Sequence, residues 1–272
     1  MKNPSQLSLA TPVVMAIINV TPDSFYPGSR TMDKASVHER ISRAVTEGAT
    51  ILDVGGCSSR PGAGDLSPAE EVARLSLAME VIREDFDNIF VSIDTFCGEV
   101  ATEVVSRFGR CIINDISAGE LDPSILDVVA TNDLPFIAMH SRGTPANMQE
   151  MTDYDCITGE VNDYFDKKIA LLRSRGISNI ILDPGFGFAK TAEQNFRLLR
   201  DLGTLKHFGY PILAGLSRKS MIYRTLDITS EEALPGSVAL GWEALRNGAS
   251  ILRVHDTLPA VQTVKLFKYM YL

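Results

Sequence analysis

Eight short apolar runs divide this chain, and each carries a polar side chain where the chain leaves the run. They cover residues 13–20, 51–56, 89–95, 111–117, 135–141, 179–185, 211–217 and 251–256. Burying a carboxylate, amide or imidazole without a partner is costly, so these run ends are expected to converge on one place. A parallel (β/α)₈ barrel produces that convergence, because the C-terminal ends of its strands meet at one face.

Segments with helical spacing separate the runs. They are 39–47, 68–84, 98–107, 123–131, 160–175, 192–205, 231–247 and 259–271. Alternation of strands and helices implies parallel pairing with right-handed crossovers. The sequence therefore predicts an α/β fold, a single (β/α)₈ TIM barrel that forms one domain over residues 1–272.

Three loops at the expected catalytic face are rich in Gly, Pro, Ser and Asp. They span residues 21–34, 57–67 and 140–153. Such loops are expected to be flexible, and the first two, which carry Phe25 and Arg60, are expected to close over a substrate. The alternative interpretation is that they are ordinary surface loops.

Composition narrows the possible partners. The chain of 272 residues has a net charge of −8, which argues against nucleic-acid binding. No apolar stretch is long enough for a membrane span, and the four cysteines show no zinc-site spacing. We therefore expect a cytoplasmic protein in a reducing compartment, with no nucleic-acid or membrane partner.

Three run ends suit a flat heterocycle. Asp94, Asn114 and Asp183 end neighbouring runs and together offer acceptors and one donor, which fits a ring with a guanidine-like edge. The glycine-rich segment after Asp183 lets backbone approach a ligand and provides Phe186 or Phe188 for stacking. Alternatively, the acids cap the next helices or pair with Arg and Lys.

The last two runs favour an anion. Ser217 is followed by two cations that include Lys219, and Arg253 and His255 lie two residues apart, on one strand face. Asn19 offers an oxygen to Mg²⁺, which typically retains waters and substrate phosphates. The alternative is that Arg253 pairs with Asp256 or another acid and that His255 is a hydrogen-bonded core histidine.

Several common catalytic motifs are absent. The sequence has no GxxxxGK[ST] phosphate loop, no GxGxxG dinucleotide fingerprint and no GxSxG nucleophile elbow. These absences argue against a P-loop nucleotide hydrolase, a Rossmann cofactor and serine-hydrolase chemistry.

Eight ordered motifs resemble the dihydropteroate synthase family of pterin-binding TIM barrels. They are INVTPDSF at 18–25, DVGGCSSRPGA at 53–63, SIDT at 92–95, INDIS at 113–117, MHSRGTP at 139–145, LDPGFGF at 182–188, SRKS at 217–220 and RVHD at 253–256. The resemblance covers roughly residues 13–258. Departures from the family pattern include Cys57, Ser59, the segment FYPG at 25–28, Ala118 and Ala189.

The resemblance implies a folate-pathway transferase that joins a dihydropterin methyl diphosphate to 4-aminobenzoate and releases diphosphate. It also implies Mg²⁺ as the cofactor, a homodimer and a target of sulfonamides. Residues matching the pterin positions are Asp94, Asn114, Asp183 and Lys219, with Met139 and Phe188 beside the ring. Residues matching the diphosphate and Mg²⁺ positions are Asn19, Arg253 and His255. Residues matching the aminobenzoate region are Ser59, Arg60, Pro61 and Ser217, and Phe25 and Gly215 are further substrate-binding residues. The residues implied to be catalytic are Asp94, Asp183, Lys219, Arg253 and His255.

Two alternatives remain open at the level of sequence. One is a homologue that binds pterin but has lost turnover, as the altered residues Pro27 and Cys57 would allow. The other is a methyltetrahydrofolate:corrinoid methyltransferase of the same barrel family. Its chemistry needs no diphosphate site, so Arg253, His255 and Lys219 count against it.

Overall fold

The apolar runs form eight parallel strands in the computed structural model, which describes residues 1–21, 34–57, 66–144 and 147–272. The strands are β1 (Val13–Asn19), β2 (Ile51–Gly55), β3 (Phe90–Asp94), β4 (Ile112–Asp115), β5 (Phe136–Met139), β6 (Ile180–Asp183), β7 (Leu213–Ala214) and β8 (Ile251–Val254). Each coincides with one predicted run.

Nine α-helices follow these strands in the part of the chain that the structure describes. They are α1 (Lys34–Thr46), α2 (Pro68–Asp85), α3 (Gly98–Phe108), α4 (Ser124–Thr131), α5 (Ile157–Ser174), α6 (Ala192–Arg200), α7 (Ser220–Leu226), α8 (Leu234–Arg246) and α9 (Thr257–Tyr271). Short 3₁₀ turns occupy Pro4–Gln6, Met148–Glu150 and Leu202–Phe208.

Backbone pairing closes the sheet into a barrel. The strand order is β6-β5-β4-β3-β2-β1-β8-β7, and a parallel bridge between Leu182 and Ile212 joins the two ends. The prediction of a (β/α)₈ barrel is confirmed. The β6–β7 seam is its thinnest part, because β7 has only two residues.

Side-chain alternation along the strands separates two apolar layers. In β1, Met15 faces the barrel interior, whereas Ala16 packs outward against the helices. The interior layer is Val13, Met15, Ile51, Phe90, Ile112, Ile137, Ile181, Leu213 and Ile251. These residues fill the N-terminal part of the barrel, so the next inward positions along the strands lie at the C-terminal mouth.

Local sequence explains the helix boundaries only in part. Ser67 and Glu70 form a capping box at the start of α2: the Ser67 hydroxyl accepts from the N–H of Glu70, and the Glu70 carboxylate accepts from the N–H of Ser67. The sequence reading missed α7, because its seven residues span fewer than two full turns of apolar periodicity. None of the helices that the structure describes is long and apolar enough to cross a membrane.

Candidate active site

One cavity of about 600 Å³ opens at the C-terminal ends of the strands. The predicted site residues that line it are Asn19, Asp94, Asn114, Met139, Asp183, Phe188, Gly215, Ser217, Lys219, Arg253 and His255. The four other predicted residues, Phe25, Ser59, Arg60 and Pro61, lie in segments outside the described residues. The expected convergence of the strand ends therefore holds for every predicted residue that the structure describes.

Strand register places the polar side chains at matching heights. Asp94 in β3 pairs with Asn114 in β4, and Met139 in β5 pairs with Asp183 in β6. Arg253 lies two residues beyond the interior residue Ile251 of β8, so it also points inward. The sheet itself thus sets the spacing of the acids and the amide.

Arg253 joins two carboxylates across the barrel. Its Nε donates to Asp53 Oδ2 at 2.6 Å, and its Nη2 donates to Asp94 Oδ2 at 2.5 Å. The alternative prediction that Arg253 pairs with an acid is therefore realised, with Asp53 and Asp94. Asp256, the partner named for it, instead binds Arg218.

Asp53 also fixes the amide of Asn114. The Nδ2 of Asn114 lies 3.3 and 3.2 Å from the two oxygens of Asp53, which has no exposed surface. A carboxylate only accepts hydrogen bonds, so this contact orients Nδ2 toward Asp53 and leaves Oδ1 of Asn114 to accept from a ligand. Asp53 lies in the second apolar run and in the motif at 53–63, but the sequence analysis assigned it no role.

Burial and neighbouring charge act against each other at Asp94. Desolvation raises the pKa of this carboxyl, the positive charge of Arg253 opposes the rise, and the negative charge of the neighbouring Asp53 adds to it. The cluster contains two carboxylates and one guanidinium, so it provides an acidic environment suited to a ligand atom that becomes positively charged.

A second polar group lies across the mouth at Lys219. Its Nζ donates to the backbone carbonyl of Phe186 and lies 4.7 Å from the ring centroid of Phe188. Burial lowers the pKa of Lys219 to about 8, with Asp183 opposing the shift and Arg253 adding to it. Burial raises the pKa of Asp183, while Lys219 and the backbone N–H of Gly185, 2.8 Å from Oδ1, favour its ionised form.

Arg218 holds its two neighbours toward the cavity. Its backbone is left-handed, with φ of 54°, so the chain turns sharply between Ser217 and Lys219. The guanidinium makes two hydrogen bonds to Asp256, at 2.8 and 2.9 Å, and Nη1 donates to the carbonyls of Ser230 and Glu231. Arg218 is therefore chiefly a structural clamp, although the predicted anion group SRKS includes it.

His255 is the most exposed of the polar residues at the rim. Its Nδ1 lies 3.3 Å from Ser217 Oγ, which also accepts from the backbone N–H of His255 at 3.2 Å. Desolvation of the imidazole, followed by the positive charge of Arg253, lowers the pKa of His255 to about 4. The imidazole is thus neutral in the ligand-free site at pH 7, and an approaching anion would favour its protonation.

Two glycines leave the cavity open beside Lys219. A Cβ on Gly215 would lie 3.9 Å from Lys219 Nζ and 4.0 Å from Arg253 Cβ. A Cβ on Gly187 would lie 3.1 Å from Lys219 Cδ, and its φ of +80° disfavours other residues. Gly215 and Gly187 thus leave space for a ring beside Lys219.

The oxygen atoms near Asn19 fit a magnesium ion that is held mainly through substrate. Asn19 Oδ1 and Asp94 Oδ2 lie 3.6 and 3.7 Å from the position that a Cβ on Gly55 would occupy, so this glycine leaves an oxygen-lined recess. Within the described segments, no group of three His, Cys, Asp or Glu side chains could hold a metal by itself. Mg²⁺ commonly binds through one or two protein oxygens plus substrate phosphates, which this recess permits.

Sequence reading missed three buried residues behind the cavity wall. Lys190 and Asn195 bind backbone atoms of the segment 184–190, which carries Phe186 and Phe188, and His140 Nδ1 lies 2.9 Å from Lys190 Nζ. Lys190 resembles an ordinary surface lysine in sequence, and only the loop conformation reveals its partners. The position of His140 at the end of the fifth run was the one available signal.

Comparison with known proteins identifies the same architecture and family. A family model described as "Pterin binding enzyme" matches residues 15–255. The dihydropteroate synthase of Escherichia coli (strain K12) is 40% identical over 264 residues, covering 96% of this chain and 93% of the relative.

Two solved structures extend the comparison. Yersinia pestis dihydropteroate synthase, in a sulfonamide drug complex, is 37% identical with a TM-score of 0.90, covering 97% of this chain and 96% of that one. Xanthomonas albilineans dihydropteroate synthase, with 4-aminobenzoic acid, is 35% identical with a TM-score of 0.89, covering 97% and 94%. Together with the family match over residues 15–255, these similarities show that the chain belongs to the pterin-binding enzyme family.

Proposed function

We propose that the protein catalyses dihydropteroate synthesis, the condensation of a dihydropterin methyl diphosphate with 4-aminobenzoate. The observation that carries this proposal is the meeting of Asp94, Asp183, Lys219 and Arg253 in one cavity. The similarity to dihydropteroate synthases over nearly the whole chain supports it.

The acceptors on β4 and β6 suit the pterin ring. Asp183 and Asn114 Oδ1 would accept from the guanidine-like edge of the heterocycle, and Lys219 would donate to its ring acceptors. Met139 and Phe188 line the same cavity and provide apolar contact with the ring faces. The glycines at 187 and 215 leave the space that this placement needs.

Charge separation during diphosphate departure explains why both acidic and basic side chains lie at the barrel mouth. Breaking the C–O bond leaves positive charge on the pterin methylene and negative charge on diphosphate. The carboxylates of Asp53, Asp94 and Asp183 favour the first, while Arg253 and His255 favour the second. The arylamine of 4-aminobenzoate is already a neutral nucleophile, so the site must orient it rather than deprotonate it before attack. Its nitrogen bonds to the methylene carbon, and the extra N–H proton is then released to solvent.

We also propose Mg²⁺ as the cofactor, held by Asn19 and by the diphosphate of the substrate. When bound, the ion would withdraw negative charge from the leaving group. The recess between Asn19 and Asp94 supports this placement.

For 4-aminobenzoate, we propose a position next to Ser217, with Phe25, Ser59, Arg60 and Pro61 completing it. The Xanthomonas albilineans relative, which is described with 4-aminobenzoic acid, supports this class of ligand. The Yersinia pestis relative, which is described in a sulfonamide drug complex, supports the proposal that this protein is a sulfonamide target.

One assay separates this function from its alternatives. Purified protein with pterin diphosphate and Mg²⁺ should release diphosphate with 4-aminobenzoate present and form dihydropteroate in equal amount. Bound pterin without product would select the impaired homologue, and methyl transfer to a corrinoid would select the methyltransferase. In the same assay, Lys219→Ala should weaken pterin diphosphate binding and turnover together, and near-normal kinetics would contradict its assigned role.

We further propose a cytoplasmic homodimer built from one domain over residues 1–272. Six large apolar side chains are exposed on α9 or just after it: Leu258, Leu266, Tyr269, Met270, Tyr271 and Leu272. An apolar surface of this kind favours association with a second copy. Sedimentation should give twice the chain mass, and Leu266→Glu with Met270→Glu should shift it toward the monomer.

A further inference from the structure

Lys190 places a buried ammonium behind the wall of the cavity. It lies in the segment 184–190 between β6 and α6, and only 5% of its surface is exposed. Its Nζ lies 2.9 Å from His140 Nδ1, 3.0 Å from the carbonyl oxygens of Gly185 and Phe188, and 3.4 Å from that of His140. Lys190 is not among the residues that line the cavity.

Burial makes this lysine expensive to retain as a cation. Desolvation lowers its pKa to about 7, with Asp183 opposing the shift and Lys219 adding to it. Burial likewise lowers the pKa of His140, with Lys190 adding to the shift, so the imidazole is neutral and accepts through Nδ1. Four acceptors surround three N–H groups, which satisfies the ammonium and leaves it no hydrogen to offer a substrate.

The segment that Lys190 holds is the wall of the proposed pterin pocket. The carbonyls of Gly185 and Phe188 point back to Lys190, while the intervening carbonyl of Phe186 accepts from Lys219. Asn195 Oδ1 accepts from the backbone N–H of Gly187 at 2.7 Å. Because two lysines bind opposite sides of one short segment, the position of each depends on the other.

The packing of this segment leaves little room to move. A Cβ on Gly185 would lie only 2.0 Å from the carbonyl oxygen of His140. The backbone after β6 therefore lies directly against the end of β5, and Lys190 bridges both. Loss of the ammonium would remove a donor from the carbonyls of His140 and Phe188, while the carbonyl of Gly185 would keep the N–H of Phe188 at 3.1 Å. The two carbonyls would then have to find other partners, which favours a shift of the segment.

We infer that Lys190 is a positioning residue of the pterin site: by binding the carbonyls of His140, Gly185 and Phe188, it fixes the wall that presents Phe188 and the carbonyl of Phe186 beside Lys219. This inference rests on the proposed placement of the pterin ring between Asp183 and Lys219. It assigns Lys190 to substrate positioning without any contact with substrate.

A matched pair of variants tests it. Lys168 on α5 is also buried, at 7% exposure, and its Nζ donates to the carbonyl of Ala118 at 3.1 Å and lies 2.9 Å from Glu120. It thus holds a loop carbonyl after β4, and neither it nor Ala118 lines the cavity. Lys190→Met and Lys168→Met therefore remove the same group from two buried positions, one behind the cavity wall and one bound to a loop outside it.

We expect Lys190→Met to raise the KM for pterin diphosphate roughly tenfold to 100-fold, because displacement of positioning groups by about 1 Å costs this much. The Kd of a pterin without diphosphate should rise in parallel, while the KM for 4-aminobenzoate stays within about threefold. Lys168→Met should lower Tm and leave all three constants unchanged.

Other outcomes decide against the inference. Unchanged pterin constants in Lys190→Met, with only a lower Tm, would reduce Lys190 to a stabilising residue. Lys190→Gln retains two donors and should give an intermediate KM. If both Lys190 variants fail to fold while Lys168→Met folds, the positioning role is rejected in favour of barrel stability. Absence of dihydropteroate synthesis in the wild-type protein would instead reject the proposed function.

Discussion

Replacement of Asp53 by Asn tests whether the buried carboxylate organises the catalytic cluster. Asp53 accepts from Arg253 Nε at 2.6 Å and from Asn114 Nδ2 at 3.3 and 3.2 Å. In Asp53→Asn, an NH₂ group replaces one oxygen and must face a donor of Arg253 or Asn114. At least one buried N–H group is then left facing another donor, which costs about 1–3 kcal/mol.

The lost charge adds to this cost, although Arg253 retains Asp94. Removing one partner of a buried ion pair costs roughly 3–5 kcal/mol when the other charge is left alone, so a smaller share applies here. We expect a total loss of about 2–3 kcal/mol. For a chain of this size, that loss corresponds to a fall in Tm of about 4–12 °C, measured by differential scanning fluorimetry.

Asp94→Asn is the matched control. Asp94 is 25% exposed at its side chain and contacts Arg253 through one oxygen, which an amide oxygen can replace. Its loss of stability should be about 1 kcal/mol or less. A Tm fall in Asp53→Asn no larger than that in Asp94→Asn would refute the reasoning, as would an unchanged kcat/KM in Asp53→Asn.

Three further predictions follow from single groups. Burial lowers the pKa of Lys219 to about 8, so kcat/KM for pterin diphosphate should fall above pH 8 as the ammonium deprotonates. Lys219→Arg should remove this fall from the pH profile. An unchanged profile in Lys219→Arg would contradict the assignment. Ser59→Ala should chiefly raise the KM for 4-aminobenzoate, so an unchanged value in steady-state kinetics argues against its assigned place. Asp227 has a left-handed backbone, with φ of 55°, at the exposed end of α7, so Asp227→Gly should raise the free energy of unfolding by about 0.5–1 kcal/mol and raise Tm. A lower Tm would show that the Asp227 side chain makes a stabilising contact.

The barrel was accessible from sequence because strand periodicity is short. Ile251 and Arg253 of β8 share one face with His255, which follows the strand, so a spacing of two residues suffices to place Arg253 and His255 at the mouth. The same rule places Asp94 and Asp183 there. Helix boundaries were less accurate: α1 begins at Lys34, five residues before the predicted segment.

The supporting residues were not accessible in the same way. Asp53 acts through Arg253, 200 residues away, and only the closure of β8 against β1 brings them together. Lys190 binds carbonyls whose directions depend on left-handed glycines at 185 and 187. Sequence patterns report which way a strand side chain points, whereas these contacts depend on the path of a loop.

The thin seam between β6 and β7 gives ligand binding a mechanical consequence. Asp183 ends one side of the seam, whereas Gly215 and Lys219 follow the other, and the backbone joins the two sides near Leu182 and Ile212. A pterin bound by Asp183 and Lys219 would connect the two sides of this seam. Amide hydrogens of β7 should then exchange more slowly with solvent in the ligand-bound protein, while those of β2 and β3, already paired on both sides, should change little.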